Sequence, residues 1–176
     1  MAAIPVAAAD SIADCFEKRV AATPDKAAYR FFDAQSSVWK EHTWRQAHER
    51  VQQMRAALER EKLAVGERVA IMAKNGPDWV FFDQAAQALG LVVVPLFVDD
   101  RPDNVAYCLN DSGTRVIMVQ GAEQCAKLSE VSERIPGVQR IVCSTAKPIP
   151  CEARMVNMRR GGWTPWATRS RRRRSR

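Results

Sequence analysis

The stretch Gly66–Asp100, GERVAIMAKNGPDWVFFDQAAQALGLVVVPLFVDD, decides the fold. A short apolar run at 68–73 precedes a turn at Lys74–Gly76, a helical apolar segment follows, and a second apolar run occupies 91–98. Strands that alternate with helical segments are typical of parallel pairing through a crossover helix. The stretch therefore predicts a β-α-β unit around which the rest of the chain can be placed.

The residues before this unit predict two helices and a hairpin. Ser11 is placed to cap a first helix, and Thr43 with Gln46 forms a capping box that begins a second, amphipathic helix. Between them, two short aromatic and β-branched runs flank the five residues 33–37, a length that suits a β-hairpin loop.

The residues after the unit repeat its alternation of strand and helix. Pro102 suits a first helical turn, and Ser112-Gly113 suits a helix end. Short β runs follow at 115–120 and 138–143, with a helical pattern between them that extends to Ile135. We therefore predict an α/β fold: a partial parallel sheet with flanking helices, preceded by a helix and a β-hairpin.

The amino-acid composition changes near residue 145. Pro148 and Pro150 stand close together there, and the following residues show no hydrophobic period and end in RSRRRRSR. Such a composition is typical of disorder. We expect a flexible N-terminus at 1–10, one domain at 11–145, and a disordered tail at 146–176 that is first Pro-rich and then Arg-rich.

The distribution of charge and the cysteine content indicate which partners and which cell compartment to expect. The net charge is +7, but residues 152–176 contain nine arginines and one glutamate, so the body of the chain is nearly neutral and does not indicate a nucleic-acid partner. The five cysteines are odd in number and form no CxxC pair, and the N-terminus carries no basic segment before Asp10. These features predict free thiols in the cytoplasm.

Three segments in this order resemble the AMP-dependent synthetase and ligase family of adenylate-forming enzymes: Asn75–Val80 (NGPDWV), Ala85–Gly90 (AAQALG) and Val93–Leu96 (VVPL). The resemblance covers about residues 11–145 and is closest to bacterial long-chain fatty acyl-CoA ligases. It implies ATP, Mg²⁺ and CoA as the cofactors and substrates of a full-length parent. The residues that carry it are framework positions, namely Asn75, Pro77, Trp79, Gly90, Pro95 and Leu96.

The resemblance transfers no catalytic residue to this chain. Family chemistry implies a Ser/Thr/Gly-rich loop ending in Pro-Lys-Gly, whose backbone N–H groups hold phosphates. It also implies an acidic residue for Mg²⁺ or ribose and a lysine in a C-terminal domain. The sequence contains no such loop, so we predict no catalytic, cofactor-binding or metal-binding residue and expect no cofactor to be bound by this chain.

Other reactive side chains have structural interpretations. His42 and His48 are six residues apart across a predicted strand–helix junction, a spacing that does not favour a metal pair. An acidic cluster, Asp99, Asp100 and Asp103, suits a helix start better than a catalytic carboxylate pair or a cation site. Two cysteines, Cys108 and Cys125, lie on apolar helix faces, where we expect them to pack as small hydrophobic groups.

Two functional hypotheses follow. In the first, the chain is the truncated N-terminal part of an ATP-dependent long-chain fatty acid–CoA ligase, inactive alone and unable to reveal the acyl chain length. In the second, it is a non-catalytic interaction module that dimerises with a full-length homologue. Its basic tail would then contact anionic lipid at the inner membrane face, or nucleic acid.

The tail itself has three interpretations. It binds an anionic surface, it acts as a nuclear-localisation-like run, or it is an out-of-frame translation of GC-rich DNA. The third is our preferred hypothesis, because the residues that resemble the family end near the point where the tail begins.

Deletion of 169–176 distinguishes a selected tail from an out-of-frame one. A selected tail confers binding to anionic vesicles or RNA that weakens as salt is raised and disappears on deletion. An out-of-frame tail leaves only weak, non-specific binding, which is our expectation. Cosedimentation at low and high salt measures the difference, and strong deletion-sensitive binding would contradict the out-of-frame interpretation.

Overall fold

The computed structural model describes residues 3–34, 36–144, 155–159 and 162–165. Helices alternate with strands along most of this length. The elements in chain order are α1 Ile12–Ala22, β1 Ala27–Asp33, β2 Val38–Thr43, α2 Trp44–Glu59, β3 Arg68–Met72, α3 Pro77–Ala88, β4 Val92–Pro95, α4 Pro102–Asp111, β5 Val116–Val119, α5 Ala122–Glu130, β6 Arg140–Cys143, β7 Met155–Arg159 and β8 Gly162–Pro165.

The strands form two sheets. β1 and β2 make an antiparallel hairpin in which Phe32 lies opposite Trp39 and Arg30 opposite Glu41. The remaining six strands form one sheet in the order β4-β3-β5-β6-β7-β8. Neighbours from β4 through β7 are parallel, and β8 is antiparallel to β7. The predicted α/β class, the hairpin and the parallel sheet with flanking helices are confirmed.

β3 is buried on both faces. Val69 and Ile71 belong to the core cluster formed with α1, α2 and α3. Their neighbours Ala70 and Met72 belong to the second cluster, formed with α4 and α5. All four side chains are 0% exposed. Because successive side chains point to opposite faces of a strand, an uninterrupted apolar run at 69–72 is what a strand between two helix layers requires.

Helix starts follow the side-chain signals in the sequence. Ser11 Oγ accepts a hydrogen bond from the Asp14 backbone N–H at 3.1 Å. Thr43 Oγ1 accepts from the Gln46 N–H at 3.2 Å, and Gln46 Oε1 accepts in return from the Thr43 N–H at 3.0 Å. The predicted cap and capping box are therefore confirmed, and each satisfies backbone donors that a helix start leaves unpaired.

The helix predicted to extend to Ile135 ends earlier. α5 stops at Glu130, and a 3-10 turn at Ser132–Arg134 follows it. Val131 and Ile135 are buried as their spacing indicates, at 3% and 1% exposure. Pro136 disfavours helical backbone at Ile135 and so excludes that residue from a helix, but this restriction does not reach back to Glu130.

Two strands, β7 and β8, lie inside the segment 146–176, for which the composition predicts disorder. β7 adds to the sheet beside β6, pairing Ile141 with Met155. The composition of these residues hides their strand character because arginine and glycine interrupt the apolar period. The Arg-rich run 169–176 lies outside the described residues, as does Cys151.

An ion pair joins the turn after α2 to the sheet. Arg140 Nε in β6 donates to Glu61 Oε1 at 3.1 Å, although 79 positions separate the two residues. The Glu61 side chain is 12% exposed and that of Arg140 is 34% exposed. Removing one partner of a partly buried pair of this kind destabilises the fold far more than replacing both.

Among the described residues, no helix is long and apolar enough to cross a membrane.

Gly113→Ala tests the turn between α4 and β5. Gly113 has a φ of +63°, and an added Cβ would collide with the Arg68 guanidinium, which donates through Nε to the Ser112 carbonyl. We expect a loss of about 1–2 kcal/mol in the free energy of unfolding, measured by urea denaturation.

Gly137→Ala is the matched control. A Cβ at Gly137 meets its nearest atom, the Thr114 carbonyl oxygen, at 3.9 Å. We expect its stability to change by less than about 0.5 kcal/mol. Equal stabilities of the two variants would contradict the interpretation of Gly113.

Candidate functional site

The carboxyl edge of the parallel sheet is the expected location of a ligand, because open α/β sheets bind ligands where strand order reverses. The chain passes from β3 to β4 on one side and then crosses to β5 on the other side of β3. The reversal therefore falls at β3 and β5, whose last paired residues are Met72 and Val119. The loops that follow these residues determine what this edge can bind.

Gln120 closes the edge between β3 and β5. Its backbone N–H donates to the Met72 carbonyl at 3.2 Å, and its Oε1 accepts from the Lys74 N–H at 3.1 Å. Ser144 Oγ donates to its carbonyl at 3.2 Å. The Lys74 amide, which a phosphate cradle would use, is therefore already bonded. Sequence reasoning missed this role, since a single glutamine after a strand gives no signal of it.

The loop 73–76 also lacks the backbone geometry of a phosphate cradle. Gly76, the N-cap residue of α3, has φ 176° and ψ 177°, an extended conformation open to any residue. Pro77 follows at the first helical turn and has no N–H to donate. A nest of convergent amides needs consecutive donors in turn conformations. The loop begins a helix and does not wrap an anion.

A cleft opens on the other side of β3, between the loops that follow β3 and β4. Its volume is about 510 Å³. It is predominantly apolar, and Phe97 on its wall is 85% exposed. The lining residues are Ala73, Lys74, Asn75, Trp79, Pro95, Leu96, Phe97 and Val98.

Four of the six framework residues predicted from the resemblance line this cleft: Asn75, Trp79, Pro95 and Leu96. The other two lie elsewhere, with Pro77 at the start of α3 and Gly90 in the turn before β4. The sequence places these residues in two separate motifs, and parallel pairing of β3 with β4 brings the motifs to one wall.

The β4 side of the cleft is held by hydrogen bonds from other elements. The Leu96 N–H donates to the Ile71 carbonyl at 2.8 Å and so continues the β3–β4 ladder beyond Pro95. Lys127 Nζ, from α5, donates to the Val98 carbonyl at 2.6 Å. The Lys127 side chain is only 20% exposed, so this bond is made in a partly dry environment. The wall is therefore fixed at both ends.

A second, polar pocket lies against α2. It has a volume of about 380 Å³ and is lined by His42, Gln46, Glu49, Arg50 and Gln53. Arg50 Nη1 donates to Gln53 Oε1 at 2.8 Å. The His42 ring stacks on Phe31, with centroids 5.1 Å apart.

Asp78, in the first turn of α3, contributes charge next to this pocket. Its Oδ1 lies 3.9 Å from Arg50 Nη2. Burial raises the pKa of Asp78, partly offset by Arg50 and His42. Burial lowers the pKa of His42, and the Arg50 charge lowers it further, against the opposing effect of Asp78. The neutral imidazole is therefore favoured in the folded state.

The residues considered for other chemistry are spread through the fold. His42 ends up against Phe31 and Phe81, whereas His48 faces Glu17, with 3.1 Å between Nε2 and Oε2. Within the part of the chain that the structure describes, no group of three or more His, Cys, Asp or Glu side chains is arranged to hold a metal ion.

Two residues of the acidic cluster, Asp100 and Asp103, make their contacts at and near the start of α4. Asp100 Oδ1 accepts from the Arg101 N–H at 2.8 Å and from Asn104 Nδ2 at 2.9 Å. Asp103 lies in the first turn of α4 and pairs with Arg134. These contacts agree with the helix-start interpretation of the cluster. Of the two helix-face cysteines, Cys125 is buried and Cys108 is half-buried.

Comparison with known proteins identifies the family. A family model for the AMP-binding enzyme matches residues 16–165. The long-chain-fatty-acid–CoA ligase heimdall of Drosophila melanogaster is 33% identical over 106 residues, which are 59% of this chain and 15% of that protein. The long-chain-fatty-acid–CoA ligase FadD15 of Mycobacterium bovis is 25% identical over 120 residues, 68% of this chain and 20% of the relative.

A solved structure agrees with the fold. The anthranilate CoA ligase AuaEII, crystallised with anthranoyl-AMP, superposes with a TM-score of 0.68 at 23% identity and covers 81% of this chain and 26% of its own. The chain belongs to the AMP-binding enzyme family, as the resemblance implies. It spans a fifth or less of the length of the two curated relatives. The family match also continues 20 residues past 145, the boundary predicted for the domain.

His42→Gln tests the electrostatics of the polar pocket. A His pKa below its ordinary value of 6.5 means that the unfolded state binds protons more readily. The contribution of His42 to the free energy of unfolding is then fully present above pH 6.5. It is lost as the pH falls from 6.5 through the lower pKa of the folded state. We expect the wild-type chain to lose more stability than His42→Gln between about pH 7 and pH 5, measured by urea denaturation. His48→Gln is the matched control, and equal pH dependence of wild type and His42→Gln would contradict this assignment.

Proposed function

We propose that the chain is the N-terminal part of an ATP-dependent long-chain fatty acid–CoA ligase. The parent reaction would convert fatty acid, ATP and CoA to acyl-CoA, AMP and pyrophosphate. The family match over residues 16–165 carries this proposal. The two relatives described above, both long-chain-fatty-acid–CoA ligases, support the substrate class.

We propose further that the chain is catalytically inactive alone. The described residues do not fit a nucleoside triphosphate at the carboxyl ends of β3 and β5, where the strand order reverses. The Lys74 backbone N–H there already donates to Gln120 Oε1. Gly76 is extended and Pro77 has no donor, so this loop supplies no convergent amides. The sequence also contains no Ser/Thr/Gly-rich loop ending in Pro-Lys-Gly. We therefore derive no step through ATP, Mg²⁺ or CoA from these residues.

The contribution of this chain to the parent would be structural. β3 and β5 form the centre of a sheet with helices on both faces, and the framework residues around the cleft connect β3, α3 and β4. Two buried faces make this region a rigid support. Chemistry would then depend on other parts of the full-length enzyme.

An interaction module remains a second candidate, favoured by the free side of β4. β4 lies at the edge of the six-stranded sheet, and Val92 is 49% exposed. The hairpin also presents Phe32 and Trp39, at 53% and 67% exposure. Strand edges and apolar patches of this kind are used for pairing with another chain. This candidate function is dimerisation with a full-length homologue.

A pyrophosphate-release assay tests inactivity. The purified 176-residue chain, supplied with ATP, Mg²⁺, palmitate and CoA, is expected to release no pyrophosphate above a protein-free blank. A full-length long-chain ligase serves as the positive control for the assay. Fatty-acid-dependent release that rises in proportion to the concentration of the chain would contradict the proposal.

A further inference from the structure

The β1–β2 hairpin is a small unit beside the main body of the fold. It forms a two-stranded sheet of its own, separate from the six-stranded sheet. No residue of either strand is fully buried, whereas residues 69–72 of β3 are 0% exposed. An isolated two-stranded hairpin is at best marginally stable in water. The order of this hairpin therefore depends on its contacts with α2 and α3.

Those contacts are made by aromatic rings on one face of the hairpin. The Tyr29 ring packs against Trp44 at the start of α2 and against Phe81 of α3, with centroid distances of 5.7 Å and 5.8 Å. His42 lies opposite Tyr29 in the strand pairing and also meets Phe81, at 5.4 Å. Its other ring contact is the stack on Phe31. Tyr29 and His42 thus attach the hairpin to α3, and one of the two is an imidazole.

The surroundings of His42 oppose a positive charge on its ring. Charged groups face it from three elements: from α2, Glu49 and Arg50; from α3, Asp78; and from its own face of the hairpin, Lys40 with its partner Asp33. Burial and Arg50 outweigh Asp78, so the pKa of His42 lies below its ordinary value of 6.5. Burial raises the pKa of Tyr29 above 10.0, so that ring stays neutral over the same pH range.

Separation of the hairpin from α3 would return the His42 ring to water and its pKa to about 6.5. The open form then binds a proton more readily than the attached form, so opening is favoured as the pH falls below 6.5. Asp78 acts in the opposite direction, because its raised pKa means that the attached form takes up a proton there as the pH falls. A variant of His42 separates the two effects.

We propose that the β1–β2 hairpin is a pH-sensitive element, which leaves the surface of α2 and α3 when the His42 imidazole takes up a proton while the six-stranded sheet stays folded. The low burial of the hairpin makes this opening local, since regions with few buried contacts open at a smaller free-energy cost than a core strand. Opening removes the His42 wall of the polar pocket and uncovers Phe81, which is 1% exposed when the hairpin is attached.

Amide hydrogen exchange of the 176-residue chain, read by mass spectrometry at about pH 7.5 and about pH 5.5, tests the proposal. Protection factors, corrected for the intrinsic exchange rate at each pH, are compared between peptides from the hairpin and from β3. We expect hairpin protection to fall by about threefold to tenfold at the lower pH, the upper value being the limit in which the attached imidazole stays neutral. Protection of β3 is expected not to change.

His42→Gln keeps a planar polar side chain that cannot become charged, and its hairpin protection is expected to be equal at the two pH values. His48→Gln is the matched control, because His48 faces Glu17 and should leave the wild-type response intact. A wild-type response that persists in His42→Gln would overturn the proposal. So would hairpin protection that does not change with pH, or an equal loss in the hairpin and β3, and these two readouts need only the wild-type chain.

Discussion

The burial of β3 on both faces is the constraint on which the rest of the structure depends. Its residues 69–72 are fully buried, and full burial of a Val, Ile or Met side chain contributes about 1.5–3 kcal/mol. A strand of this kind needs a helix layer above and below it and a partner strand on each side. β4 and β5 supply the partners, and the helices that connect the strands supply the layers. The two core clusters are thus consequences of one apolar run.

The same constraint divides the carboxyl edge of the sheet into two parts. Because β3 lies between β4 and β5, two spaces adjoin its carboxyl end, of which one is filled and the other is open. The β5 side is filled by Gln120, whose side chain satisfies the Lys74 amide. The β4 side remains open and is lined by Trp79 and Phe97. The single loop 73–76 therefore closes one space and forms the wall of the other.

The chain matches the AMP-binding enzyme family along most of its own length but spans a small part of its relatives. The family model matches 150 of the 176 residues, yet the chain spans only 15% and 20% of two curated relatives. Apolar packing in two clusters and side-chain caps at helix starts hold these elements in place. His42, Arg50 and Asp78 are the main departure, since they keep charge partly buried beside α2.

Local signals in the sequence determined the elements: the caps at Ser11 and Thr43, the hairpin, and strands of the correct type. They did not give the end of α5, which stops at Glu130 before the periodic positions run out, or the pairing of β7 with β6. Only the tertiary structure decided the cleft, the closure by Gln120, and the Glu61–Arg140 pair across 79 positions. Strand order and register bring these groups together, and a sequence pattern with a period of two or of 3.6 residues carries no information about which strand lies beside which.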